Sequence, residues 1–458
     1  MIPPPSHRRT AVLYVGGIAA AALVFAAVSW IGERAFSASR AATPAPPHHV
    51  DAMLHVLLAL AVVIVTARLV GSAFRVIHQP PVIGEVLGGI MLGPSLLGAL
   101  SPAAYAFILP PATAPFLGVI AQLGVILYMF VVGLHLDLRV VRTSGRTTLA
   151  ISHASIVVPF VLGALLSLAL YRTLAGEGAG FTAFALFLGV SMSVTAFPVL
   201  ARILDDRRLD KTELGMLALT CAAVDDVTAW CMLAFVVGLS QATMGAAFAT
   251  AGLTIAYIAV MFLVVQPVVR REVARMDAHV PLTQAALARV FVALLLSALA
   301  TEVIGIHAIF GAFLLGAVVP PASRVAADVT GRLDDVVRVM FLPAFFALTG
   351  MRTEIGLLNT WQDWMICAAI IGVATLGKFG GTFAAARYLG LARRESAALG
   401  ILMNTRGMVE LIVLNIGLDI GAISPRLFTM LVLVALATTF MTTPALDWVR
   451  RPSTSEPR

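Results

Sequence analysis

Charge is scarce in this chain. Only 12% of its 458 residues are Asp, Glu, Lys or Arg, about half the share of an ordinary soluble protein. That deficit excludes a soluble globular domain. With 60% hydrophobic residues and a mean hydropathy of +0.96, it leaves a polytopic membrane protein. Lysine is almost missing: Lys211 and Lys378 are the only two, and the other long basic side chains are all Arg. Cysteine is limited to Cys221, Cys231 and Cys367, each inside an apolar stretch. A disulfide framework, a thiolate metal site and a catalytic cysteine motif are thereby excluded, and the three read as small residues facing core or lipid. No low-complexity segment or long linker separates soluble domains, so the chain acts within the membrane, and no cofactor or resident metal is expected.

What is present is a succession of apolar runs long enough to cross a bilayer. They predict spans near 52–77, 81–98, 114–134, 147–171, 181–204, 213–239, 245–269, 284–300, 303–321, 335–351, 363–389, 395–418 and 424–448, preceded by one near 11–32. Alternate loops differ sharply in basic content. One side carries Arg139, Arg142 and Arg146, then Arg202, Arg207, Arg208 and Lys211, then Arg270, Arg271 and Arg275. The same side continues with Arg324, Arg332 and Arg338, Arg387, Arg393 and Arg394, and Arg450-Arg451. By the positive-inside rule this side and the C-terminus face the cytoplasm. The net charge of +7 is therefore topological and points to no nucleic-acid partner. Residues 1–50 hold His7-Arg8-Arg9, an apolar core and Ala35-Phe-Ser-Ala38, which fits either a retained helix or a cleaved signal segment.

Six spans lie in 52–240 and six in 284–448, joined by one helix at 245–269, with a short tail at 450–458. An odd linking helix gives the halves opposite orientation, the inverted-repeat plan of many secondary transporters. The expected fold is thus an all-α membrane domain over 51–449 with thirteen core helices, plus the N-terminal segment. The fifth span of each half is interrupted: Ser191-Met-Ser-Val-Thr-Ala-Phe-Pro198 in the first and Asn404-Thr-Arg-Gly407 in the second. Such breaks expose half-helix ends whose dipoles and free backbone groups can serve ions.

Two adjacent aspartates, Asp225 and Asp226, sit in the middle of one span. Burying a single carboxylate there costs roughly 3 kcal/mol on insertion scales, and a second neighbour adds to it. The pair therefore binds something positive. Adjacent helical residues point about 100° apart, so the two have different tasks. One can face Lys378, which lies deep in Leu376-Gly-Lys-Phe-Gly-Gly381 and, unlike Arg, releases its proton when buried. The other can face the cavity at the broken helices, where a proton and an alkali cation compete for it. Alternate opening of that site to the two sides gives antiport. Among the remaining intramembrane charges, Arg406 and Glu410 are one helical turn apart and can neutralise each other. Glu302 is a second candidate partner for Arg406, and Glu85 lies in the Gly-rich run Gly84-Glu-Val-Leu-Gly-Gly-Ile-Met-Leu-Gly-Pro94. His135 and His307 could sense pH, although a lone intramembrane His is more often simply hydrogen-bonded.

Four segments, taken in order, carry a resemblance: Pro81-Val-Ile-Gly-Glu-Val-Leu-Gly-Gly-Ile-Met-Leu-Gly-Pro-Ser, Val224-Asp-Asp-Val-Thr-Ala-Trp230, His307-Ala-Ile-Phe-Gly-Ala-Phe313 and Asn404-Thr-Arg-Gly-Met-Val-Glu410. Over roughly 52–448 the chain resembles the monovalent cation:proton antiporters, in the branch of Kef-type systems and plant cation/proton exchangers. The resemblance implies a sodium/proton antiporter fold with two crossed broken helices, 181–204 and 395–418, usually as a homodimer in the plasma (inner) membrane, with an elevator-like core. It further implies Na+ or K+ and H+ as substrates, Asp226 as the main cation and proton carboxylate, Asp225 paired with Lys378, and Thr195 lining the site. An Asp-Asp pair with Lys resembles the electrogenic members. In Gly133-Leu-His-Leu-Asp137, His135 replaces a usual acid, and no Kef-type nucleotide-binding domain follows, so ligand gating of that kind is not expected. A channel or a cation-coupled symporter on the same scaffold are the alternatives. An intramembrane aspartyl protease is disfavoured because its two carboxylates must converge from separate helices.

Overall fold

A computed structural model describes residues 49–136, 145–209, 211–240, 244–277 and 282–450. The N-terminal segment with its expected span near 11–32, most of the loop bearing Arg139 and Arg142, and the tail lie outside the described residues. The described chain is all helical, with one isolated antiparallel bridge, Ala175 to Ile423, and no strands. Its helices are α1 (His49–Val76), α2 (Pro81–Leu92), α3 (Pro102–Ile108), α4 (Ala114–His135), α5 (Arg146–Leu174), α6 (Phe181–Ser193), α7 (Phe197–Asp206), α8 (Glu213–Ser240) and α9 (Met244–Val260). They continue as α10 (Gln266–Met276), α11 (Gln284–Ile304), α12 (Ala308–Val318), α13 (Arg324–Val336), α14 (Leu342–Met351), α15 (Trp361–Tyr388), α16 (Arg393–Met403), α17 (Met408–Asp419) and α18 (Pro425–Arg450).

Among the described residues ten helices are long and apolar enough to cross a membrane, or up to eleven if the bent pair α16–α17 is one span. The sequence-based boundaries shift in several places. The span expected at 284–300 runs on to Ile304 and stops at Gly305, whose φ of 92° supplies the left-handed cap. The next is correspondingly short, Ala308–Val318. The span expected at 335–351 is the far part of a longer helix, because α13 carries Arg324, Asp328, Arg332, Asp334 and Asp335 and only α14 is free of charged residues. Two of the joins are π turns, Met261–Val265 and Val337–Phe341, each just ahead of a proline, Pro267 or Pro343. Proline has no N–H to close the regular ladder, and the wider turn absorbs the mismatch.

The helices sort into two packing groups. In the core bundle α5 packs on α6, α8 and α15, α15 on α16 and α18, and α16 on α8 and α18. In the panel α1 packs on α2, α11 on α12, α2 on α14, and α4 on both α12 and α14. Small residues bring backbones together within the panel, as expected where lipid removes the hydrophobic incentive to associate. A Cβ on Gly133 would strike the Phe313 carbonyl, one on Gly316 the Phe130 carbonyl, and one on Gly350 the backbone of Gly89. Gly350→Ala is therefore expected to force α2 and α14 apart and cost about 1–3 kcal/mol. Gly372→Ala, with open space at its Cβ, is the control. Thermal unfolding of the detergent-solubilised protein separates them, and equal curves would contradict the close approach.

Candidate functional site

Between α6 and α7, Val194 and Ala196 leave the helical conformation, with ψ of 136° and 88°. Pro198 lies in the first turn of α7, where a missing N–H is harmless. The second break runs from Asn404 to Gly407, and α16 and α17 meet at 44°. The two breaks lie against each other, since the Ala196 N–H donates to the Thr405 carbonyl at 3.0 Å. Thr439 of α18 braces the second break, donating to the Arg406 carbonyl at 2.5 Å and accepting from the Arg406 N–H at 3.2 Å.

Ending a helix in mid-membrane leaves carbonyls without partners and the negative end of a dipole in low dielectric. Two buried cations cover that end of α6. Arg406 donates to the Ser191 and Met192 carbonyls at 2.8 and 2.7 Å, and Lys378 donates to the Ser193 carbonyl at 2.5 Å. Each cation has a carboxylate of its own. Arg406 reaches both oxygens of Glu410 at 2.7 Å, and Lys378 lies 3.0 Å from Asp225 Oδ2. All four side chains are essentially inaccessible to solvent.

Asp225 and Asp226 have opposite surroundings. Asp225 accepts from Ser152 at 2.5 Å, Ser155 at 2.6 Å, Thr195 at 2.8 Å and Lys378 at 3.0 Å. Both of its oxygens are engaged by protein donors. The sequence-based expectation put Thr195 at the ion site, and here its hydroxyl proton is committed to Asp225. Asp226, 3% exposed, keeps a buried Oδ1 with no protein partner and lies beside the Phe197 N–H at the start of α7. An unpaired buried acceptor costs about 1–3 kcal/mol, more when charged. Asp226 is thus a buried carboxylate with an oxygen that the described protein residues leave unpaired.

Ser152 and Ser155 are site residues that sequence reasoning missed. Their signal was a Ser-x-x-Ser spacing in an apolar span, placing two hydroxyls on one helix face. One expectation is corrected outright: Glu302 does not meet Arg406. Glu302 sits at the end of α11 in the panel, exposed, where it accepts the Ala308 N–H at 2.8 Å and caps α12. Arg406 is enclosed in the core bundle with Glu410. Glu85 is half-buried on α2, within electrostatic reach of Arg68, Arg202, Arg75 and Arg338. His307 occupies the N-cap of α12 with φ 76°, and its Nδ1 is buried without a partner.

A cleft of about 580 Å³ separates panel from core, lined by Tyr128, His135, Phe197, Pro198, Arg202, Asp205 and Arg338 among others. Phe197 and Tyr128, at its inner end, neighbour Asp226, while Arg202, Asp205 and His135 lie toward the helix ends. His135 Nδ1 is 2.9 Å from the Val131 carbonyl of its own helix. At the other face of the molecule panel and core are bridged. Arg352, at the end of α14, meets Asp419 at 2.7 Å and Asn415 at 3.0 Å on α17, and Asn415 donates to Thr349 at 2.9 Å.

Known proteins resemble this chain over most of its length. The family model described as sodium/hydrogen exchanger, transmembrane, matches residues 59–449. The Na(+)/H(+) antiporter NhaS4 of Synechocystis is 44% identical over 396 residues, 86% of this chain and 97% of that one. Cation/H(+) antiporter 17 of Arabidopsis thaliana is 38% identical over 87% of this chain, and K(+)/H(+) antiporter 1 of Saccharomyces cerevisiae is 36% identical over 84%. The chain spans only about half the length of those two relatives, 49% and 45%. Among solved structures, the sodium proton antiporter MjNhaP1 of Methanocaldococcus jannaschii superposes with a TM-score of 0.58 over 86% of this chain and 96% of that one. At 13% identity that likeness speaks for the fold alone. With its apolar spans and this match over most of its length, the chain is a multi-pass membrane protein of the sodium/hydrogen exchanger family.

Proposed function

We propose that this protein is a secondary active transporter that exchanges a monovalent cation, Na+ or K+, for protons by alternating access. The observation that carries the reading is the charge balance at the crossed breaks. Lys378 is matched by Asp225 and Arg406 by Glu410, which leaves Asp226 as the unmatched buried carboxylate there. A lone carboxylate in low dielectric must hold a proton or a cation. It cannot hold both well. Loading one expels the other, and a site that opens to each side in turn then moves them in opposite directions.

The asymmetry of the interface supports alternating access, with a cleft reaching toward Asp226 on one face and the Arg352–Asp419 and Arg352–Asn415 bridges on the other. The Arg-rich loops at that end support a cytoplasmic side for the cleft by the positive-inside rule. Equivalent packing supports the inverted repeat over 52–240 and 284–448: α1 on α2 matches α11 on α12, and α2 on α14 matches α12 on α4. The printed names of the relatives, Na(+)/H(+), cation/H(+) and K(+)/H(+) antiporters, support the substrate class.

The test is transport in everted membrane vesicles with an acid interior. Addition of Na+ or K+ should collapse the pH gradient in a saturable way, and a comparison with Li+ and Rb+ gives the selectivity. Cation flux that needs no counter-movement of protons would instead favour a channel. Lys378→Ala removes the counter-charge of Asp225 while leaving its three hydroxyl donors, and it is expected to displace the pH profile of exchange or the apparent cation affinity. A profile and affinity identical to wild type would argue that Lys378 has no part in the titration of the pair.

A further inference from the structure

The panel wall of the cleft carries a polar group that neither packing nor the matched charges explain. Tyr128, on α4, is 2% exposed, and its hydroxyl is buried without any hydrogen-bond partner in the protein. The ring lines the cleft together with Phe197, whose N–H adjoins Asp226, and it lies close enough to Asp226 to feel that charge. Neighbouring positions on α4 are packed by hydrophobic residues, Val125, Met129 and Val131 among them. Phe would satisfy that packing equally well. A buried hydroxyl with no protein partner, on a residue that lines a cleft, is retained at a cost unless it meets something there.

We propose that the Tyr128 hydroxyl is an oxygen ligand for the exchanged cation as it passes between the cytoplasm and Asp226, and that it sets the cytoplasmic-side affinity and the preference among alkali cations. The proposal rests on the antiport reading above. An alkali cation must replace part of its hydration shell with protein oxygens before it can settle on a buried carboxylate. The cleft is also lined by Asp205, which offers carboxylate oxygens, and by Arg202 and Arg338, which offer donors only, and Arg338 lies within electrostatic reach of Tyr128. Two buried oxygens without a protein partner lie near this lining, Oδ1 of Asp226 behind Phe197 on the core side and the phenolic oxygen of Tyr128 on the panel side. A phenol is neutral, so it can coordinate the cation without adding a second charge for the proton to contest. Because α4 belongs to the panel and Asp226 to the core bundle, a relative movement of the two groups changes the separation of the two oxygens between one face and the other. The contribution of Tyr128 is therefore one-sided.

The test compares wild type with Tyr128→Phe, in everted vesicles for the cytoplasmic side and in right-side-out vesicles for the other, using Na+, K+, Li+ and Rb+. The cytoplasmic-side KM of the preferred cation is expected to rise about tenfold, the effect of losing one polar contact, with altered ratios among the four ions. The KM measured from the opposite side is expected to stay as in wild type. An unchanged cytoplasmic KM with an unchanged ion order would overturn the proposal. An equal rise on both sides would overturn it as well, since that is the mark of a general structural effect. Absence of exchange by the wild-type protein with all four ions would be a failure of the antiport reading itself.

Discussion

Asp226→Asn is expected to reduce cation-induced collapse of the pH gradient to the level of membranes lacking the protein. The substitution is nearly isosteric and keeps an oxygen beside the Phe197 N–H, so the broken helices retain their local geometry. What it removes is the unmatched negative charge. Lys378 and Arg406 remain neutralised by Asp225 and Glu410, and nothing at the crossing then attracts a cation or binds a proton. The loss should be total rather than a rise in KM, because the same carboxylate serves both half-reactions of the cycle. Initial rates of fluorescence dequenching in everted vesicles, normalised to protein in the membrane, give the comparison. Exchange at the wild-type rate in the Asn variant would place the ion site elsewhere.

The second large effect is on stability. Glu410→Ala leaves the Arg406 guanidinium 1% exposed with its counter-charge gone. Breaking a buried ion pair from one side typically costs about 3–5 kcal/mol. The Ser191 and Met192 carbonyls still accept from Arg406, but they carry only partial charge. Because Arg406 joins the second break to the end of α6, the damage should spread across the crossing. Glu410→Gln keeps two polar atoms near the guanidinium and is expected to be milder. Unfolding of the detergent-solubilised variants, followed by heat or denaturant, ranks them. Wild-type unfolding by Glu410→Ala would mean that the charge of Arg406 is offset by something other than Glu410.

Much of this arrangement was legible in the sequence, for identifiable reasons. Intramembrane charges are costly, so Asp225, Asp226, Lys378, Arg406 and Glu410 stood out against a nearly uncharged background. A helical turn of spacing paired Arg406 with Glu410 before any coordinates. The single lysine inside a span pointed to one of the two aspartates, the family resemblance named Asp225, and the structure has that pair 3.0 Å apart. The prolines and glycines marked the breaks at 194–196 and 404–407.

The remainder depended on packing between distant elements, which sequence spacing does not encode. Ser152 and Ser155 look like ordinary small residues of a membrane helix until α5 is docked on α8. Glu302 seemed available to Arg406 because both were charges in apolar spans, yet one lies in the panel and the other in the core bundle. Boundaries failed where proline and π turns bent a helix, as between α13 and α14, because the pattern of apolar residues runs on through the bend. Tyr128 gave no signal at all in the sequence, since a tyrosine in an apolar span is commonplace. Only its burial without a partner beside the cleft sets it apart.

The central claim is that cation and proton compete for Asp226. Proton release from the purified protein in weakly buffered detergent, on addition of Na+ or K+, tests it without reference to transport direction or sidedness. The wild type is expected to release protons saturably with at least one of the two cations, with an apparent affinity that weakens as the pH is lowered, whereas Asp226→Asn releases none. Equal release by the two proteins, or saturable cation binding by the wild type with no proton released, would contradict it.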